Sequence, residues 1–93
     1  MKFMAMCSSG LGSSFLVEMN IKKALDTIGF SDYEVTHSDL GGASTNDADL
    51  FIVGRDLEDA ASGFEPRILL DSIIDQNELE TKLRDHLSAN GLI

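Results

Sequence analysis

The sequence holds a single cysteine, Cys7, so no disulfide can form within the chain. That excludes the disulfide-built frameworks of small secreted domains and fits a reducing compartment. Proline is almost missing too: Pro66 stands alone, and no Pro-rich linker divides the chain. Basic residues are scarce, seven against sixteen acidic ones, for a net charge of -9. Nucleic-acid binding is excluded on that balance, because phosphates would repel such a surface. No segment approaches the ~20 apolar residues of a membrane span. The opening MKFMAMCSSG is too short in its apolar run for a signal peptide. A cytoplasmic protein that meets membranes only through a partner is expected.

What is present reads as one domain of 93 residues. The negative charge is uneven. Residues 1–46 carry three basic and five acidic groups, net -2, and residues 47–93 carry four and eleven, net -7. The half holding Cys7 is the better place to bring a phosphate dianion. Lys2 to Met6 reads as a buried strand. A helix follows from Ser14 to Ile28, its stripe being Val17, Ile21, Ala24, Leu25 and Ile28. Glu18 and Lys22, one turn apart, would support it, and Gly29 would end it.

Tyr33 to Ser38 alternates as a second strand. Gly41 to Asp49 is a loop or short helix. Leu50 to Val53 is a continuous apolar strand broken by Gly54. A short helix is expected over Asp56 to Ser62. Arg67 to Leu70 makes a fourth strand, entered through Pro66. A last helix runs from Glu78 to Ala89, with Asn77 as cap, Glu80 as capping-box partner, and Leu79, Leu83 and Leu87 as its buried stripe. Strands alternating with helices imply a parallel sheet covered on both faces. Right-handed crossovers put every strand's carboxyl end on one edge, where such sheets carry their sites.

Cys7 lies at that edge, and after it comes Ser8-Ser9-Gly10-Leu11-Gly12-Ser13-Ser14. Inward-pointing backbone N–H groups and a helix N-terminus favour a thiolate there and lower the pKa expected of it. The same groups suit a phosphoryl group carried on sulfur. Gly10 and Gly12 have no Cβ to hold phosphate off, and the four serines add hydroxyls. Ser14 has a second reading as the helix cap. A dinucleotide fingerprint fails for want of its last glycine, a nucleotide P-loop for want of its lysine, and a redox motif for want of a second cysteine. A cysteine phosphatase loop needs an arginine six residues after the cysteine, where Ser13 stands. Without that guanidinium, hydrolysis is poorly catalysed and the phosphate can be handed on. A small phosphatase or arsenate reductase, and a regulatory phosphorylation sensor, remain the alternatives.

The stretch CSSGLGSSFLVEMNIKKAL, residues 7–25, resembles the IIB components of the sugar phosphotransferase system, and most nearly the ascorbate type. The segments HSDL at His37 to Leu40 and ADLFIVGRDL at Ala48 to Leu57 extend the resemblance along nearly the whole chain. Ser8-Ser9 stands where the ascorbate-type loop often has Gly-Thr, which keeps a hydroxyl. The resemblance implies an α/β three-layer sandwich over residues 1–93, with a four-stranded parallel sheet in the flavodoxin-like or Rossmann-like order 2-1-3-4. It implies a phosphohistidine–sugar phosphotransferase subunit that needs no cofactor and no metal. Its partners would be a IIA phosphodonor protein, a IIC membrane permease and an ascorbate-like sugar. Cys7 would be the phosphorylated nucleophile and Ser8, Ser9, Gly10, Leu11, Gly12, Ser13 and Ser14 its phosphate-binding loop.

Outside the loop, His37 and Arg55 are the auxiliary candidates, each set against a plainer reading. His37 reads as a satisfied structural histidine and Arg55 as a surface arginine flanked by Asp56 and Glu58. Asp71 reads as a turn or cap residue and His86 as a solvated side chain. Phe15 and Leu16 are either core or an apolar patch for docking IIA and IIC.

Overall fold

The computed structural model describes residues 1–7, 13–39 and 42–93, with Cys7, Ser13, Ser14 and Asp39 described through the backbone alone. Four strands, β1 (Lys2–Cys7), β2 (Glu34–Asp39), β3 (Leu50–Gly54) and β4 (Arg67–Leu70), form one sheet in the order β2-β1-β3-β4. Every pairing is parallel. Helices α1 (Ser13–Ile28) and α2 (Gln76–Ala89) complete the frame. The expected fold class and strand order are those observed. No helix among the described residues is long and apolar enough to cross a membrane.

The two-residue period of a strand sorts side chains between two cores. Phe3, Ala5, Leu50, Ile52, Ile68 and Leu70 face the helices, where they meet Val17, Ile21, Leu25, Leu79, Leu83 and Leu87. Met4, Met6, Phe51 and Val53 face the other way. β3 is apolar throughout because it is buried on both sides. β2, at the edge, is less covered, and Val35 is its buried residue among those whose side chains are described.

The second face departs from expectation. No α-helix covers Asp56 to Ser62. A single 3-10 turn, η1 (Arg55–Leu57), is followed by further turns, and Leu57, Ala61 and Phe64 close that core. The Arg67 guanidinium explains the difference. It donates to the Glu58 carbonyl at 2.6 Å, the acceptor that an α-helix would need for the Ser62 N–H. Ser62 N–H bonds to the Asp59 carbonyl instead, at 3.3 Å. One layer of the sandwich is therefore helical and the other is made of turns. Within 42–49 the chain is likewise turns and loop, not a helix. There Asp49 accepts the Lys2 N–H at 2.7 Å and donates its own N–H to the Lys2 carbonyl at 2.9 Å, which fixes β3 beside β1.

Both helices stop in the same manner. Gly29 and Gly91 have φ of 92° and 72°, and the residue after each donates back to a carbonyl of the last turn, Phe30 to Leu25 and Leu92 to Leu87. The start of α2 differs from expectation. Asp75, not Asn77, is its cap, accepting the Glu78 N–H at 3.0 Å. Glu80 is bonded to Arg84 instead. The whole signature sits two residues earlier, because a charged carboxylate is available there as acceptor.

Candidate functional site

β1 is a central strand, and its last residue, Cys7, lies at the carboxyl edge between Asp39 of β2 and the end of β3. From this edge the chain returns as α1, which opens at Ser13. Ser14 is thus the second residue of the helix rather than its cap. The first four N–H groups of a helix have no carbonyl within it to bond, so those of α1 give this edge a positive character. Ser8, Ser9, Gly10, Leu11 and Gly12 lie outside the described residues, and Leu40 and Gly41 do so as well.

His37 is held by α1. Its Nδ1 lies 3.2 Å from Glu18 Oε1, and the Phe15 ring meets it edge-on, with centroids 5.7 Å apart. Glu18 is only 8% exposed. A carboxylate so placed requires a partner, and the expected link from Glu18 to Lys22 gives way to this one. The sequence held half of the signal. Glu18 stands seven residues before Leu25, on the flank that packs against β2, so a polar group from that strand had to meet it. The plainer reading of His37, a satisfied histidine, describes what is seen.

Arg55 follows β3 at the same edge, but its guanidinium turns toward β4. Nε donates to Asp71, and Nη1 lies 3.6 Å from Glu58. Asp71 and Glu58, rather than Asp56 and Glu58, are its companions. Both acids hold the arginine's proton more firmly, Asp71 foremost. Asp71 in turn offers its N–H to Glu78 at 2.7 Å, and Ser72 does the same at 3.0 Å. Lys82 Nζ bonds the same carboxylate at 2.8 Å. Glu78 is consequently held down to about 2, chiefly by Lys82 and then by the two backbone donors, against the opposing effect of burial. This cluster braces the β3–β4 side of the edge. It also explains why Arg55 and Lys82 border a groove of about 430 Å³ along β4 instead of facing β1.

Glu78 carries a pH prediction. A carboxyl group with a depressed folded pKa adds stability above its unfolded value of 4.5 and loses it as pH falls toward about 2. Glu78→Gln should therefore lower stability near neutrality by ~1–3 kcal/mol. It should also flatten that part of the acid limb. Urea melts of both proteins across this range check it. Parallel curves would show that Glu78 does not set the limb.

The exposed apolar side chains of this edge lie on α1 and just before α2. Phe15 is 51% exposed, Leu16 40%, Met19 52% and Ile74 76%. Gln76 donates to the Asn20 carbonyl at 3.0 Å, which brings the entry of α2 against the second turn of α1. Of the two readings of Phe15 and Leu16, the surface patch is the observed one.

The family model described as "PTS system, Lactose/Cellobiose specific IIB subunit" matches residues 2–85. The chain belongs to the PTS IIB family. No curated protein matches it. Membership makes it a phosphoryl carrier of the sugar phosphotransferase system, a group that works with IIA and IIC partners and a sugar.

Proposed function

We propose that Cys7 takes the phosphoryl group from a phosphohistidine of a IIA protein and gives it to a sugar held by a IIC permease. The observation that carries this reading is the position of Cys7. It ends a central strand at the carboxyl edge, and the N-terminus of α1 follows six residues later. The Cys7 thiolate attacks phosphorus; the S–P bond forms as the N–P bond breaks, and the donor histidine, already protonated on its other ring nitrogen, leaves as neutral imidazole. In the second step a sugar hydroxyl attacks. The O–P bond forms, the S–P bond breaks, the thiolate is regenerated and the hydroxyl proton passes to a base beside the sugar.

The loop Ser8 to Ser14 is the cradle in this reading. Its glycines and serines, with the N–H groups that open α1, hold the phosphoryl oxygens. The sugar is ascorbate, a preference supported by the resemblance of HSDL and ADLFIVGRDL to ascorbate-type IIB segments. The protein works in the cytoplasm and reaches the membrane through the permease. His37 and Arg55 are structural: one is engaged with Glu18, the other with Asp71 and Glu58.

Phosphoenolpyruvate, enzyme I, HPr and the IIA protein of the same transport system should add one phosphate to the chain. Iodine or mercuric ion, which attack sulfur, should release it. A phosphate that resists both reagents, or none at all, sinks the reading.

The cradle makes a separate prediction. Gly12→Val should slow transfer ~10–100-fold by holding phosphate away from the backbone donors. Its thermal midpoint should drop by only a few degrees, ~1 kcal/mol or less. Stopped-flow transfer assays and calorimetry on the same sample test both parts.

A further inference from the structure

The charge pattern contains an exception. Lys2 pairs with Glu34, Arg55 with Asp71, Arg67 with Glu65, Lys82 with Glu78 and Arg84 with Glu80. Lys22 and Lys23 are the two basic residues left, and neither reaches a carboxylate among the described residues. In a chain of net charge -9, two adjacent lysines with no carboxylate partner among the described residues keep their charge available to something else.

Their location is specific. At 3.6 residues per turn, Phe15, Leu16, Met19, Lys22 and Lys23 fall within about 120° of the α1 circumference. The first two turns of that face are the exposed apolar side chains, and the lysines follow directly. The face begins at the carboxyl edge, where α1 opens. A phosphoryl group passes between two proteins only if donor and acceptor atoms come within bonding reach. A donor must therefore cover this edge, and this apolar patch borders it.

Charge then separates two visitors. Cytoplasmic loops of membrane proteins carry an excess of lysine and arginine. Such a surface is repelled by Lys22 and Lys23 and attracted by residues 47–93, net -7. A soluble donor with carboxylates around an apolar spot has the opposite preference.

Building on the carrier reading above, we propose that the α1 face of Phe15, Leu16 and Met19, edged by Lys22 and Lys23, is the seat of the phosphodonor IIA protein, whose matching surface is apolar with an acidic rim. The lysines steer the encounter, and the apolar residues hold the complex once formed.

The test follows transfer from charged IIA to the full-length protein as IIA concentration and salt are varied. Lys22→Glu with Lys23→Glu should raise the half-saturating IIA concentration ~10-fold at low salt. The gap should close as salt rises, with the saturating rate unchanged. Met19→Asp should weaken the complex at every salt concentration. Lys2→Glu with Arg84→Glu alters net charge equally but lies off this face, and should change neither quantity. Circular dichroism melts confirm that each variant is folded; a double-lysine variant that fails to fold leaves Met19→Asp to decide.

A wild-type protein that is labelled, with both variants indistinguishable from it, overturns the docking face and leaves the carrier reading standing. A slower step onto sugar in permease vesicles, with the donor step intact, assigns the face to the permease and also overturns the proposal. A wild-type protein that takes no phosphate at any IIA concentration removes the carrier reading, and this proposal with it.

Discussion

Cys7→Ser should fold like the parent and accept phosphate at least ~1000-fold more slowly, which in a labelling assay means no label. The fold is spared because the change replaces sulfur by oxygen at the end of a strand whose ladder is made by backbone groups. The chemistry is lost because nucleophilicity resides in the anion. At neutral pH a cysteine thiol is a few per cent ionised and a serine hydroxyl scarcely at all. Electrostatics near a helix N-terminus raise the thiolate fraction further, but no such environment makes an alkoxide abundant. Equal labelling of Cys7→Ser and the parent would move the nucleophile elsewhere, and His37 would be the next residue to replace. Circular dichroism on the same preparation separates lost chemistry from lost structure.

Leu83→Ala should cost ~3–4 kcal/mol of folding stability. Leu83 is fully buried at the middle of the α2 stripe, between Leu79 and Leu87, in the core shared with α1 and the sheet. Truncation removes three carbon atoms and leaves a void that neighbours on three elements cannot all fill. A domain of 93 residues has a total stability of ~5–14 kcal/mol. One substitution therefore removes a large share. Urea titration reads the effect as a lower midpoint at similar slope. A cost below ~1 kcal/mol would mean that α2 is not packed as described.

The sheet was legible in the sequence because its signals are local. Leu50 to Val53 announces a strand buried on both faces, and Arg67 to Leu70 was placed to the residue. The helices were legible from Val17-Ile21-Leu25 and Leu79-Leu83-Leu87, and Gly29 fixed one end. What escaped depends on contacts across the chain. The stretch after Gly54 has helix-compatible residues, yet Arg67, nine residues beyond Glu58, takes the carbonyl a helix would use. Glu18 has a lysine one turn away, yet a histidine from β2 meets it. Asp75 and Asn77 are both good caps locally, and the register of the whole helix decided between them. At the site, the position of Cys7 came from strand order alone, whereas the engagement of Arg55 with Asp71 needed β4 to be placed beside β3.

The flanked position of β1 has a mechanical result. A rod gripped on either side by parallel neighbours, with an apolar layer above and another below, has no direction in which to slide. The Cys7 backbone at its tip is then a fixed point, and in the carrier reading proposed above the delivering and receiving proteins must each travel to it in turn, so each is left to make its own adjustment of distance and angle.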